Sequence, residues 1–166
     1  MKKLLLVLVV GIAVIFAFLG LEHLQNSTDI TIYFYRSEQL YPVRQARLND
    51  LPPLEATLTA LFNGPTTAEK SLRLQTLIPE NIRPLNYSIN GEVLTLVFAE
   101  DFLLLSGGHH VIDGMLQQIV FTVTEIKGIK SVRFQIENSR SNTLIIGGEG
   151  YTIDRPLSRV DFTGAY

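Results

Sequence analysis

Apolar positions recur at spacings of three and four between residues 111 and 126, as expected for an amphipathic helix that faces a core. The stripe consists of Ile112, Met115, Leu116, Ile119, Val123 and Ile126. Lys127 suits the last turn of a helix, and Gly128 can close a helix in the left-handed conformation. Residues 131–137 then alternate between apolar and polar, which predicts a half-buried strand. The pattern therefore predicts a helix that leads through a short turn into a strand.

Two strands are predicted at the start of the folded region. Residues 30–35 alternate between apolar positions on one face and Tyr33 and Tyr35 on the other. Residues 41–47 form a second extended piece, and Pro42 places it at a strand start or at a sheet edge.

A second helix is predicted after residues 49–53, because proline is favoured in a first helical turn. Its core-facing stripe is Leu54, Leu58, Leu61 and Phe62. Gly64 and Pro65 end it, since the glycine fits a left-handed cap and the proline cannot continue the helix. Thr66 and Glu69 have the spacing of a capping box, which predicts a further short turn of helix.

A β-hairpin is predicted around Asn90 and Gly91, the strongest two-residue hairpin turn. This turn sets Ile89 opposite Glu92, and Tyr87 opposite Leu94. One face of the hairpin is then apolar and belongs to the core, namely Leu85, Tyr87, Ile89, Leu94, Leu96 and Phe98. Further along, residues 144–146 are predicted as a short strand, 147–150 as a loop and 153–162 as a tail.

The N-terminal region is predicted to be a membrane anchor. Lys2 and Lys3 precede residues 4–21, an uncharged run that would span about 27 Å as a helix, close to the thickness of a bilayer core. The lysine pair should stay in the cytoplasm. A cleaved signal peptide is the alternative, but the end of the run lacks an A-x-A cleavage pattern. The predicted layout is an anchor or leader at 1–21, a tether at 22–29 that includes His23, and one domain at 30–166.

Composition narrows the function classes. The formal net charge is −2 and the basic residues are scattered, which argues against nucleic-acid binding. The chain has no cysteine, so disulfides, thiolate chemistry, the usual zinc-finger ligand sets and a lipid-modified cysteine are excluded.

Two motifs could bind a metal or a phosphate. His109, His110 and Asp113 form a metal-like group, but a site needs three or four convergent ligands, so a solvated helix N-terminus is the favoured interpretation. The Gly-Gly-Glu-Gly run at 147–150 has the composition of a phosphate loop, but no helix start follows it.

Two further pairs are candidate functional residues. Glu100 and Asp101 are adjacent carboxylates, which are usually solvated, and no motif places a further acid opposite them. Tyr33 and Tyr35 could form a ligand platform, although aromatic residues in strands more often pack within the sheet. No catalytic, cofactor-binding or metal-binding residue is therefore assigned.

Several motifs together resemble the GerMN domain of the sporulation and spore germination family. They are Tyr-Phe-Tyr at 33–35, Tyr-Pro-Val-Arg at 41–44, Leu-Phe-Asn-Gly-Pro-Thr-Thr-Ala-Glu at 61–69, Ile-Pro at 78–79 and the helix at 117–126. The resemblance covers about residues 30 to 160, and residues 156–159 are similar to the family's closing segment. Founding members resemble lipoproteins with two such domains in tandem, whereas this chain has one.

The resemblance implies a non-catalytic role outside the cytoplasmic membrane, in holding envelope assemblies together, and a fold like small α+β ring-building modules. We therefore expect an α+β domain, with a mixed sheet of about four strands and two helices packed on one face. The expected function is an interaction module without a cofactor, anchored in the membrane as a single-pass protein, or secreted if the leader is cleaved. An envelope or membrane protein complex is the expected partner, and self-association is left open.

Two other functions remain as alternatives to this interpretation. The first is a ligand-binding or sensory module that recognises cell-wall fragments or a small molecule through Tyr33, Tyr35 and the 147–150 loop. The second is a cell-wall hydrolase that uses Glu100 or Asp101.

Overall fold

A computed structural model describes residues 29–47, 51–147 and 150–162. The predicted anchor at 1–21, and the tether up to residue 28, lie outside the described residues. Among the residues that are described, no helix is both long and apolar enough to cross a membrane.

The described chain is an α+β domain with seven strands and three α-helices. The strands are β1 (Asp29–Arg36), β2 (Gln39–Ala46), β3 (Asn86–Asn90), β4 (Val93–Phe98), β5 (Ser131–Ile136), β6 (Leu144–Ile146) and β7 (Tyr151–Ile153). The helices are α1 (Pro53–Asn63), α2 (Thr67–Ser71) and α3 (Gly108–Val123), with 3₁₀ helices at Glu100–Leu104 and Arg159–Phe162.

The strands form three sheets, so the expected single sheet of about four strands is wrong in detail. The sheets are β1–β2, β3–β4–β5 and β6–β7. Strand β1 remains outside the central sheet because its second edge already has partners. The Tyr35 backbone exchanges two 2.8 Å hydrogen bonds with Gln75, and the Tyr33 N–H donates to Thr122 Oγ1 at 3.0 Å.

The central sheet is mixed, as predicted. Strands β3 and β4 are antiparallel, whereas β4 and β5 are parallel. A parallel pair needs a long crossover, and α3 provides it. Leu94, Leu96 and Phe98 of β4 are buried and pair in register with the buried residues Val132, Phe134 and Ile136 of β5. Phe98 stacks on Phe102 with ring centroids 4.4 Å apart, which brings the first 3₁₀ helix into the same core.

The hairpin register differs from the prediction. Ile89 pairs with Leu94 and Tyr87 with Leu96, so the two loop residues are Gly91 and Glu92. Gly91 has a φ of 59°, which suits glycine at the first central position of a type II′ turn. The shift moves the pairing by two residues, and the predicted apolar face is therefore preserved.

Both predicted long helices are present, and they contact each other and β1. Helix α1 ends where predicted, at Asn63, before Gly64 with a φ of 73°. The capping box of Thr66 and Glu69 is formed at the start of α2. Helix α3 ends at Val123, so Ile126 lies beyond it, and Gly128 belongs to the turn before β5 rather than to a helix cap.

The C-terminal segment was predicted as a tail but is structured. Strand β7 pairs with β6, and Leu157 exchanges two 2.8 Å backbone hydrogen bonds with Val132 on the outer edge of β5. Arg159 then contacts the end of α3. Its Nε donates to Thr124 Oγ1 and its Nη2 to the Phe121 carbonyl, both at 2.8 Å. The segment therefore covers one edge of the central sheet.

Candidate functional site

The two edges of the central sheet differ. Leu157 bonds to the outer edge of β5, whereas no strand of the described chain pairs with the outer edge of β3. An unpaired strand edge presents a row of backbone donors and acceptors to which another chain can add. We therefore take β3 as the first element of a candidate interaction site.

A groove runs between β3 and α1, and we call it the edge groove. Its volume is about 340 Å³. Its lining consists of Leu51, Glu55, Leu58, Thr59, Phe62, Arg83, Pro84, Leu85, Asn86 and Tyr87. The walls therefore come from one helix, one strand and the segment that precedes each of them.

Apolar side chains are exposed at this groove. Leu85, which lines it, is 55% exposed, and Ile89, on the same face of β3, is 53% exposed. The alternation of the hairpin had assigned both residues to the core. Leu94, the partner of Ile89 on β4, is buried, so the burial of this face stops short of β3. The apolar face of the sheet thus continues into solvent at this edge.

Two hydrogen bonds fix the walls of the edge groove. The Tyr87 hydroxyl donates to Glu55 Oε1 at 3.0 Å, and this bond raises the pKa of Tyr87 because ionisation would break it. Arg83 Nη1 donates to Asn63 Oδ1 at 2.9 Å, which ties the segment before β3 to the end of α1. These contacts join the strand wall to the helix wall.

A second cavity lies beside α2 and the loop that follows it, and we call it the α2 cavity. Its volume is about 550 Å³. It is lined by Phe62, Asn63, Gly64, Pro65, Lys70, Arg73, Leu74, Gln75, Thr76, Ile78 and Glu80. Phe62 lines both spaces, so the α2 cavity and the edge groove both border the end of α1.

The predicted metal-like group lies at the start of α3. His109 and His110 are exposed in its first turn. The ring of Tyr151 lies 5.5 Å from that of His109, and its hydroxyl donates to Asp113 Oδ1 at 2.9 Å. Burial and the bond to Asp113 raise the pKa of Tyr151. The described residues contain no group of three or more His, Cys, Asp or Glu placed to hold a metal ion.

The candidate carboxylates lie in the first 3₁₀ helix. Glu100 and Asp101 are both exposed. Glu100 lines a hollow of about 420 Å³, and Glu137 lines it too, so the structure places there a further acid that no motif indicated. Both side chains are open to solvent, whereas a general acid is tuned by a site that excludes water.

The two tyrosines of β1 do not form an exposed platform. Each side chain is hydrogen-bonded, one to α3 and the other to a residue that follows α3. Tyr35 is buried, and its hydroxyl donates to Gln117 Oε1 at 2.6 Å. Tyr33 is half-buried and donates to Glu125 Oε1 at 2.9 Å, and burial together with this bond raises its pKa. The interpretation of these residues as sheet packing is correct in kind, although the packing is against a helix.

The glycine-rich run is the connection of the β6–β7 hairpin. The Gly147 N–H donates to the Leu103 carbonyl at 2.9 Å, and the Gly150 N–H donates to Gly147 at 3.2 Å. Residues 148 and 149 lie outside the described part of the chain. Since strand β7 follows the run, the expectation that no helix begins there is confirmed.

The fold and these surfaces define a small α+β domain with a hairpin, a βαβ crossover and, in the described chain, a central sheet that is left open at β3. The family model described as sporulation and spore germination, named Germane, matches residues 31–142, which is more than half of the chain. The chain therefore belongs to this family, and its domain is of the GerMN type.

Solved structures share the fold. The tandem GerMN domains of the sporulation protein GerM from Bacillus subtilis match with a TM-score of 0.58 and 22% identity, over 79% of this chain and 44% of that one. The first GerMN domain of the same protein matches with a TM-score of 0.55 and 19% identity, over 80% and 99% of the two chains. A putative lipoprotein from Clostridium perfringens matches with a TM-score of 0.54 and 20% identity, over 80% and 88%.

The chain spans less than half the length of the tandem GerM structure. No curated protein matches it by sequence.

Proposed function

We propose that this domain is a non-enzymatic interaction module that acts outside the cytoplasmic membrane and docks another envelope protein at the edge groove. One observation carries the proposal. Leu85 and Ile89 continue the apolar face of the central sheet but are more than half exposed. Exposed apolar surface beside an unpaired strand edge is typical of a protein interaction site.

The mode of docking follows from these features. A partner that supplies an extended segment satisfies the open backbone groups of β3, and its apolar side chains cover Leu85 and Ile89. Stable interfaces bury about 800 Å² of surface on each partner. The surface inside the edge groove is smaller than this, so the contact extends along β3 beyond the groove. Membership of a sporulation and germination family supports an envelope protein as the partner.

Substitution of the exposed apolar residues tests the proposal. We expect Leu85→Lys and Ile89→Lys each to abolish recovery of a discrete cross-linked partner from membranes of the producing cell, because a charge cannot be buried there without a counter-charge. Leu104→Lys is the matched control, because Leu104 is 77% exposed in the first 3₁₀ helix. Recovery of the same partner with both edge variants would refute docking at this groove.

The membrane location is part of the proposal and is supported by the uncharged run at residues 4–21 after Lys2 and Lys3. We expect the full chain to stay in the membrane fraction after an alkaline wash, and a chain that lacks residues 2–21 to be released. Protease is then added to protoplasts, which are cells without their wall but with an intact membrane. Digestion of the domain would place it outside the membrane. Protection of the domain in the same assay would contradict that location.

A further inference from the structure

The α2 cavity has an apolar floor. Phe62, Leu74 and Ile78 line it and are all at least nine-tenths buried. Pockets that hold small molecules are mostly apolar with a few placed polar groups, and about 300 to 1,000 Å³ is their usual size. At about 550 Å³, the α2 cavity is within this range.

Two cations lie at the cavity. Lys70 is in the last turn of α2 and Arg73 is in the loop that follows, and both side chains are exposed. Within residues 29–47, 51–147 and 150–162, neither side chain forms an ion pair. Glu80 also lines the cavity, so two positive charges face one negative charge there.

The backbone of Arg73 is in an uncommon conformation. Its φ is 64°, in the left-handed region that glycine, asparagine and aspartate adopt more readily than arginine. A non-glycine residue in this region carries strain that surrounding structure must offset, and such residues cluster at ligand sites. The Arg73 N–H donates to the Lys70 carbonyl at 2.9 Å, which holds the two cationic residues in one tight turn.

We propose that the α2 cavity binds a small ligand that carries a carboxylate on an apolar body the size of a dipeptide. The planar guanidinium of Arg73 pairs with the carboxylate through two parallel hydrogen bonds, and Lys70 adds a second charge-assisted contact. The apolar body lies on Phe62, Leu74 and Ile78. This site shares Phe62 with the edge groove but none of its other lining residues, and its occupation does not require a protein partner at that groove.

Calorimetric titration of the full chain with N-acetyl-alanyl-alanine tests the proposal, with the C-terminal amide of the same dipeptide as the ligand control. We expect the acid to bind and the amide to bind at least tenfold more weakly, because the amide cannot pair with either cation. The L,L and D,D forms are compared, since proteins end in L-residues and bacterial cell-wall peptides in D-residues. Equal binding of acid and amide, or no binding of any form at millimolar concentration, would overturn the proposal.

Three variants test the assigned residues. We expect Lys70→Gln and Arg73→Gly each to weaken binding of the acid about tenfold, and Glu80→Gln to strengthen it, because Glu80 repels a carboxylate. Lys127→Gln is the matched control: it removes an exposed positive charge that does not line the α2 cavity, and it should leave binding unchanged. Thermal unfolding of each variant verifies that it is folded. Unchanged affinity in a folded Lys70→Gln/Arg73→Gly double variant would refute the site.

Discussion

At the residue scale, the left-handed backbone conformation of Arg73 should reduce the stability of the fold, and a substitution can test this. The φ of 64° at Arg73 suits glycine, and the hydrogen bond from its backbone N–H to the Lys70 carbonyl is kept in the substitution. We predict that Arg73→Gly stabilises the fold by about 0.5 to 1 kcal/mol, since relief of the left-handed penalty exceeds the added entropy of the unfolded chain.

Urea unfolding measures this change. Asn138→Gly is the control, because Asn138 has a similar φ of 60° but asparagine tolerates it, so the gain there should be smaller. A net loss of stability in Arg73→Gly would mean that the guanidinium makes a contribution to the fold larger than the strain. The same variant is expected to bind the acid about tenfold more weakly, so stability and binding would change in opposite directions.

The side chain of Gln118 makes a second residue-scale prediction. It is fully buried on α3, its Oε1 accepts from the Leu77 N–H at 3.1 Å, and its Nε2 donates to Thr76 Oγ1 at 3.0 Å. We predict that Gln118→Leu costs about 1 to 3 kcal/mol, because a backbone N–H is left without an acceptor.

Gln135→Leu is the matched control for this change. Gln135 is half-buried on β5 and takes part in neither of these hydrogen bonds. Thermal unfolding should separate the two variants clearly. Equal melting temperatures would show that water or another group accepts a hydrogen bond from the Leu77 N–H in the variant.

At the element scale, the C-terminal segment is fastened to α3 by Arg159, Glu125 and Tyr33. Arg159 Nη2 and the Tyr33 hydroxyl both donate to Glu125 Oε1. Burial by itself would raise the pKa of Glu125, but these two bonds and the charge of Arg159 lower it below its ordinary value of 4.5. A carboxylate with a lowered pKa in the folded state stabilises the fold above its unfolded pKa and loses that contribution as the solution becomes more acidic.

We therefore predict that Glu125→Gln reduces stability at neutral pH by up to about 1 kcal/mol, a value limited by the exposure of the pair. The difference from the wild type should shrink as the pH falls below 4.5, where the unfolded carboxylate is protonated. Unfolding curves across this range measure it. Glu92→Gln is the control, because its ion pair with Lys130 is more exposed, and a constant difference for Glu125→Gln at all pH values would contradict the assignment.

Local periodicity predicted the elements well, because each stripe or alternation is a property of neighbouring residues. The stripe of α1 and its stop at Gly64, the capping box at Thr66 and the strand at 131–136 all follow from such patterns. The separation of β1 from the central sheet does not, because it depends on bonds to Gln75 and Thr122 from distant parts of the chain.

The candidate sites were harder to predict than the elements. The alternation correctly placed Leu85 and Ile89 on the apolar face of the hairpin. It could not indicate how much of that face other elements cover. Lys70 and Arg73 carried no motif, and the cavity they line is formed only when α2 and its loop pack beside the end of α1. The missed strand β7 is three residues long and is formed by pairing with an equally short β6.

At the scale of the whole molecule, the two edges of the central sheet differ in how they are covered. The C-terminal segment bonds to β5 and completes that side, whereas β3 and its apolar residues stay open in the described chain. The chain belongs to the sporulation and spore germination family. We therefore propose that a partner binds at the open edge of β3.

A photo-reactive amino acid placed at position 89, in cells that make the full chain, tests this claim most directly. The matched control places the same amino acid at position 104, since Leu104 is exposed on the first 3₁₀ helix. On illumination, we predict a discrete adduct from position 89, of a mass that identifies a different envelope protein, and no such adduct from position 104. Matching adducts from both positions, or none from position 89, would contradict it.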